Sequence, residues 1–118
     1  MRDIVYDLLA AIEEKNLHKN DVIAWAVPIV SFGKLLSSEV ATLGLNPSNC
    51  EFMCAKDVEL TGSSRRFPTL SYFGLKKWSK IDAKNLKTIV NSYDGYFESN
   101  PYDRWFKSLD YLISSTGH

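Results

Sequence analysis

A polar stretch between positions 46 and 51 carries the residues whose types and spacing could do chemistry. Asn46 and Ser48 follow a short apolar run at 40–43, and Glu51 lies three residues further along the chain. An amide and a hydroxyl can orient a water or contact a ligand, and a carboxylate facing the same pocket can act as a general base. The stretch therefore predicts a small polar site. The competing interpretation is a purely structural turn, because an asparagine before a proline favours turn initiation.

Two adjacent arginines, Arg65 and Arg66, form the strongest basic signal in the sequence. A guanidinium can grip a phosphate through two parallel hydrogen bonds, so the pair is a candidate phosphate-binding site. The alternative is that at least one arginine is solvated or pairs with an acid such as Asp57 or Glu59.

A second basic run, Lys76 and Lys77, precedes Trp78. Cationic side chains beside an aromatic ring are typical of a nucleic-acid contact. The same three residues are also compatible with a helix end whose tryptophan is buried. Both interpretations stay open from the sequence alone.

Three short segments resemble those of a known family. The segment Gly-Leu-Asn-Pro-Ser at 44–48 is similar to the first active-site motif of the uracil-DNA glycosylase superfamily, in which Gly-x-Asn-Pro follows the first core strand. The segments Arg-Arg-Phe-Pro-Thr-Leu at 65–70 and Asn-Pro-Tyr-Asp-Arg-Trp-Phe at 100–106 are similar to a less characterised bacterial branch. The resemblance runs from about position 28 to 117. The superfamily's second motif, usually built around a histidine, would fall beyond that range.

The resemblance implies roles for particular residues. Asn46 would position the hydrolytic water and Glu51 would serve as the base, because an amide alone is a poor general base. Phe52 or Phe67 would stack on a base flipped out of the helix. The implied base pocket comprises Gly44, Leu45, Pro47, Ser48, Phe52 and Phe67. The implied phosphate contacts are Arg65, Arg66, Lys76 and Lys77.

The resemblance also implies a function and a fold class. The expected protein is a single domain over 1–118 that binds DNA and excises a damaged or deaminated base by hydrolysing the N-glycosidic bond, as in DNA repair. Two alternatives remain: a shortened, non-catalytic relative that binds nucleic acid, a nucleotide or a protein partner, and a part of a longer enzyme. The expected fold is α/β, with three layers and a short, mostly parallel sheet flanked by helices.

Periodicity predicts the elements that would position these residues. Segments 28–32 and 40–43 read as an edge strand and a central strand, with Gly44 and Pro47 ending the latter. Helices are predicted from Asp3 to about position 17, with Asp3 as the N-cap, and from 82 or 83 to about 93. A last helix is predicted after Asn100, with an apolar stripe that includes Leu112.

Composition bounds the remaining expectations. The 118 residues carry 14 basic and 14 acidic side chains, so any nucleic-acid contact must come from a local basic surface. No cofactor or metal is expected, because Cys50 and Cys54 have no nearby histidine or further cysteine. A cytoplasmic protein is expected, because no membrane-spanning run or secretory signal is present. A homodimer or protein partner would be expected to dock on an exposed edge of the predicted sheet.

Overall fold

The computed structural model describes residues 1–14, 23–38, 49–54, 58–98, 101–102, 106–107, 111–112 and 114–115. Within these residues the chain is mostly helical. The α-helices are α1 (Arg2–Glu14), α2 (Leu70–Phe73) and α3 (Ala83–Asp94). Short 3-10 helices span Leu35–Ser37, Asn49–Glu51, Gly62–Ser64, Trp78–Lys80 and Tyr96–Glu98.

The predicted three-layer α/β fold is wrong. The described residues form no sheet; their extended pairing is limited to two isolated antiparallel bridges, Ala26 with Thr69 and Met53 with Glu59. The predicted edge strand at 28–32 pairs with no strand among the described residues. The predicted central strand at 40–43 lies outside the described residues. Without a sheet in the described part of the chain, the sheet edge expected to carry a partner has no counterpart there either.

The segment before position 33 gives its backbone hydrogen bonds to a helix instead of to a strand. The Tyr93 hydroxyl donates to the Pro28 carbonyl, and the Gly33 amide donates to the Tyr93 carbonyl at 2.7 Å. Gly33 has a φ of +87°, and a Cβ there would lie 3.1 Å from the Phe97 ring. The apolar segment at 28–32 is therefore held against α3 by hydrogen bonds to Tyr93. The apolar pattern of the segment alone does not predict these bonds.

Helices α1 and α3 pack against each other through one apolar face each. Ile4 and Leu8 share the apolar spacing of α1 but are 54% and 40% exposed. The buried residues of the two helices are Val5 and Leu9 of α1 and Ile89 and Tyr93 of α3. Burying each such side chain contributes roughly 1.5–3 kcal/mol. The predicted N-cap of α1 is wrong: the helix begins at Arg2, so Asp3 lies in its first turn, two positions after the N-cap position at Met1.

Aromatic rings fill the centre of the molecule around Phe67, which is 1% exposed. Its ring stacks on Tyr96 with centroids 5.3 Å apart and packs against Phe52 at 5.7 Å. Phe32 also contacts both Phe67 and Tyr96 edge-on. Such pairs contribute about 0.5–1.5 kcal/mol each beyond the area that they bury. The core is therefore an aromatic cluster between the helices.

The last predicted helix is described only in part. Residues 106–107, 111–112 and 114–115 are helical, whereas Asn100, its predicted N-cap, lies outside the described residues. Phe106 packs on the core, as predicted. Leu112 is 59% exposed, so the predicted apolar stripe is not buried along its whole length.

Of the helices in the described part of the chain, none is both long enough and apolar enough to cross a lipid bilayer.

Candidate functional site

The predicted site residues divide into those that the structure describes and those that it does not. Asn46 and the pocket residues Gly44, Leu45, Pro47 and Ser48 lie outside the described residues. Their predicted roles therefore stay predictions. The described candidates are Glu51, Phe52, Arg65, Arg66, Phe67, Lys76 and Lys77.

Glu51 ends a 3-10 helix and is buried, with only 3% of its surface exposed. Both carboxylate oxygens lie 2.9 Å from the Tyr96 hydroxyl, which donates to them. The Tyr96 oxygen accepts in turn from the Tyr102 amide at 2.8 Å. The carboxylate thus links the 3-10 helix Asn49–Glu51 to Tyr96 and, through the Tyr96 hydroxyl, to Tyr102.

Arg66 supplies the positive charge beside this carboxylate. Its Nε lies 3.8 Å from Glu51 Oε2, too far for a hydrogen bond, and finds no other hydrogen-bond acceptor among the described residues. Its Nη1 donates to the Cys50 carbonyl at 2.9 Å, and its guanidinium lies 5.5 Å from the centre of the Tyr102 ring. We call Glu51, Arg66, Tyr96 and Tyr102 the buried cluster.

Burial raises the pKa of Glu51 above its usual value of 4.5, because a charge is costly to remove from water. The Tyr96 hydrogen bond and the Arg66 charge oppose this shift without cancelling it. Burial also raises the pKa of Tyr96, and the neighbouring Glu51 charge adds to that effect. A raised pKa suits a general base, but this carboxylate is only 3% exposed and accepts from Tyr96, so it is not open to a substrate in this arrangement.

Phe52 and Phe67 are core residues in the structure. Each is less than 10% exposed and packs against other rings. A flipped base needs an open aromatic face, which neither ring presents. Stacking on either would require the aromatic core to open.

Arg65 belongs to a second carboxylate cluster, which reaches the surface through Glu59 and Ser71 and includes the buried Thr69. Its Nη1 lies 2.9 Å from Glu59 Oε1, the alternative that the sequence left open for this arginine. The same carboxylate accepts from the Thr69 hydroxyl, and from Ser71 at 2.8 and 2.9 Å. We call Glu59, Arg65, Thr69 and Ser71 the surface cluster.

The pKa of Glu59 moves in the opposite direction from that of Glu51. Partial burial raises it, but hydrogen bonds from Thr69, Ser71 and Arg65, together with the Arg65 charge, lower it below its usual value overall.

Arg65 and Arg66 thus each have an internal carboxylate partner. Neither guanidinium is left as an uncompensated site for a phosphate.

A run of uncompensated positive charge lies further along the chain, at 76–87. Five lysines in these twelve residues are exposed, against the single acid Asp82. None of their ammonium groups lies within 4.0 Å of a carboxylate of the described residues. The five are Lys76, Lys77, Lys80, Lys84 and Lys87. We call residues 76–87 the lysine segment.

Trp78 anchors this segment to the rest of the fold. It is 1% exposed, its indole Nε1 donates to the Ala24 carbonyl at 2.7 Å, and its amide donates to Glu13 Oε1 at 3.0 Å. Of the two interpretations of Trp78, a nucleic-acid contact and a buried anchor, the structure therefore favours the buried anchor. The lysines on both sides of it are exposed. A fixed backbone with free cationic side chains is a suitable geometry for a phosphate backbone.

Lys84 lies in the first turn of α3, after the N-cap Asp82, whose side chain accepts from the Asn85 amide at 2.7 Å. The N-terminal end of a helix carries a partial positive charge, and cations there are unfavourable. The placement of Lys84 therefore adds to the positive potential at this end of α3. A nearby anion would relieve it.

A separate cavity of about 310 Å³ lies between α1 and the 3-10 helix at Trp78–Lys80. Glu13 and Glu14 line it together with Tyr6, Leu9 and Trp78. Two carboxylates make it a poor site for a phosphate. It therefore does not extend the cationic surface.

Sequence reasoning singled out Lys76 and Lys77 but missed Lys80, Lys84 and Lys87. The count of five lysines in twelve residues was available as a signal. It also missed Tyr96, whose role depends on contact with a residue 45 positions away. No local pattern could have found that contact.

Comparison of the chain with protein-family models, with curated proteins and with solved structures gives no match.

Proposed function

We propose that this chain is a nucleic-acid-binding module that holds the phosphate backbone with its lysine segment. The observation that carries the proposal is the exposure of all five lysines without a carboxylate partner in the described part of the chain. Phosphate neutralisation by such cations supplies most of the affinity in non-specific nucleic-acid binding.

The distribution of charge supports the same function. Five lysines and one aspartate give the lysine segment a net charge of four positive units, while the whole chain is neutral. The other 106 residues therefore carry 9 basic and 13 acidic side chains. A neutral protein with one strongly cationic segment directs a polyanion to that segment.

The proposal is for binding without base excision. In the described part of the chain, Glu51 is enclosed by Tyr96 and Arg66, and Phe52 and Phe67 are packed in the core. These contacts support a structural role for the residues that the resemblance assigned to chemistry. Base excision requires both an accessible water-activating group and an open base pocket.

The test is the salt dependence of binding, measured by fluorescence anisotropy with labelled oligonucleotides. Replacing Lys76, Lys77 and Lys80 together by Gln is expected to reduce the slope of log K against log salt by about 0.7–0.9 for each of these lysines that neutralises a phosphate. The matched control replaces the exposed lysines Lys34 and Lys107 by Gln and should leave the slope unchanged. Equal slopes for the wild type and the triple variant would overturn the proposal.

A second assay separates binding from excision. The chain is incubated with uracil-containing single and double strands, and alkali then cleaves any abasic site. We expect no cleavage. Cleavage that disappears in Asn46→Ala would replace the binding proposal with the glycosylase function.

A further inference from the structure

We infer that the nucleic acid held by the lysine segment is single-stranded and that one of its unpaired bases stacks on Tyr72. The inference rests on the proposed function and specifies its ligand. The shared chemistry is an unpaired base on a phosphate backbone, which both single-stranded DNA and single-stranded RNA provide.

Tyr72 is a large aromatic residue that the fold leaves in solvent. The residue is 54% exposed, in contrast to the buried Phe67, Trp78 and Tyr96. Phe73 contacts it edge-on, with centroids 5.2 Å apart and planes at 80°. The Arg65 guanidinium lies over the ring, so the face available to a base is the one opposite the guanidinium.

Arg65 holds the Tyr72 ring in place. The guanidinium carbon lies 5.3 Å from the ring centre, within the range of a cation–π contact. Arg65 is itself fixed by Glu59 at 2.9 Å and by the Thr69 hydroxyl at 2.7 Å. A ring held in this way gives up little side-chain entropy when a base stacks on it.

A tight turn brings the ring close to the first lysines. Gly74, with a φ of +67°, ends α2, and the Leu75 amide donates back to the Leu70 carbonyl at 3.0 Å. Tyr72 and Lys76 are four positions apart, so their Cα atoms lie at most about 14 Å from each other. One strand can therefore reach both the ring and the ammonium groups.

The combination of a stacking ring and a cationic run selects for unpaired strands. Every base has a π-face, but in a duplex the neighbouring base pairs cover it. Trp78, the aromatic residue within the lysine segment itself, is buried and cannot serve this purpose. Tyr72 is the exposed aromatic residue that precedes the segment.

The test compares binding of an oligo(dT) of about 15 nucleotides with binding of the same strand in a duplex. Tyr72→Ala is expected to weaken single-strand binding about tenfold and to change duplex binding less than about twofold. Tyr72→Phe keeps the ring and should retain wild-type affinity. An oligo(rU) of equal length tests RNA, and the same loss is expected there if stacking is the source; a loss confined to one sugar would restrict the inference to that nucleic acid.

The control is Tyr111→Ala, which removes a more exposed tyrosine outside the lysine segment. Equal single-strand affinity of Tyr72→Ala and the wild type, or an equal loss in Tyr111→Ala, would overturn the inference. If the wild type binds with a lysine-dependent salt slope but Tyr72→Ala has no effect, the proposed function stands and the stacking inference fails. If the wild type binds neither strand form, both fail.

Discussion

The buried cluster and the surface cluster use the same chemistry in two environments. Two adjacent arginines each pair with a glutamate, Arg66 with Glu51 and Arg65 with Glu59. The two glutamates are eight positions from each other in the sequence. Glu51 is 3% exposed and Glu59 is 26% exposed. The pKa of the first is raised and that of the second is lowered.

The difference shows that burial and hydrogen-bond geometry together decide the sign of the pKa shift. Glu59 is partly hydrated and accepts bonds from Arg65, Thr69 and Ser71. Glu51 is almost fully buried, and the guanidinium of Arg66 lies 3.8 Å away, without a hydrogen bond between the two groups. Attraction between buried charges offsets desolvation only when the geometry is good.

The largest effect is expected from breaking the buried pair. Arg66→Ala leaves the Glu51 carboxylate buried without its counter-charge and removes the bond to the Cys50 carbonyl. We expect the free energy of unfolding to fall by about 3 kcal/mol in urea denaturation. The matched variant Arg65→Ala should cost about 1 kcal/mol, because its partner stays hydrated. Equal losses would remove the distinction between the two clusters.

Tyr96→Phe tests the hydrogen bonds of the buried cluster without creating a cavity. The change leaves Glu51 without its donor and the Tyr102 amide without its acceptor. We expect a loss of about 2 kcal/mol in the free energy of unfolding. Tyr72→Phe, which removes an exposed hydroxyl, is the control and should change stability little. A Tyr96→Phe protein as stable as the wild type would show that the bonds to Glu51 contribute nothing.

Glu59→Gln is expected to have a smaller effect. The amide keeps the shape of the side chain and one acceptor, but loses the charge that faces Arg65. The expected loss is about 1 kcal/mol or less, and it should shrink further in high salt. Thermal unfolding at low and high ionic strength measures this. A loss that does not change with salt would contradict a partly hydrated ion pair.

The two glutamates also predict opposite pH dependences of stability. Above pH 4.5 the folded protein binds more protons at Glu51 than the unfolded chain does. The stability that protonated Glu51 contributes is therefore lost as the pH rises through its folded pKa. Below pH 4.5 the unfolded chain binds more protons at Glu59 than the folded protein does. The stability that ionised Glu59 contributes is therefore lost as the pH falls through its folded pKa.

Glu51→Gln should therefore flatten the decline in stability on the alkaline side of pH 4.5, and Glu59→Gln the decline on the acid side. Urea denaturation at a series of pH values measures both. The account fails if the two variants change the same side of the profile.

Helix α3 shows what the sequence could predict. Its apolar spacing at Leu86, Ile89 and Tyr93 and its cap at Asp82 are local features, and the structure confirms the predicted helix within one residue at its end. The sheet was predicted wrongly because an apolar extended run looks the same whether its backbone bonds to a strand or, as at Pro28, to a distant tyrosine.

The candidate site was predictable in its residue types and, for Arg65 with Glu59, in one of the alternatives for its pairing, but the pairing of Arg66 with Glu51 was not predicted. Basic character at Arg65, Arg66, Lys76 and Lys77 is plain from the sequence. Which of these charges remain available depends on Glu51 and Glu59, which the fold brings to the arginines and not to the lysines. That information is tertiary, and no local pattern carries it.

The most direct test of the account is to titrate the ¹⁵N-labelled chain with single-stranded oligonucleotide and follow its amide signals by NMR. Binding through the lysine segment predicts shifts concentrated at residues 72–87, with the amides of Glu51 and Tyr96 unchanged. Shifts centred on residues 49–54 and 96, or no shifts at all, would contradict it.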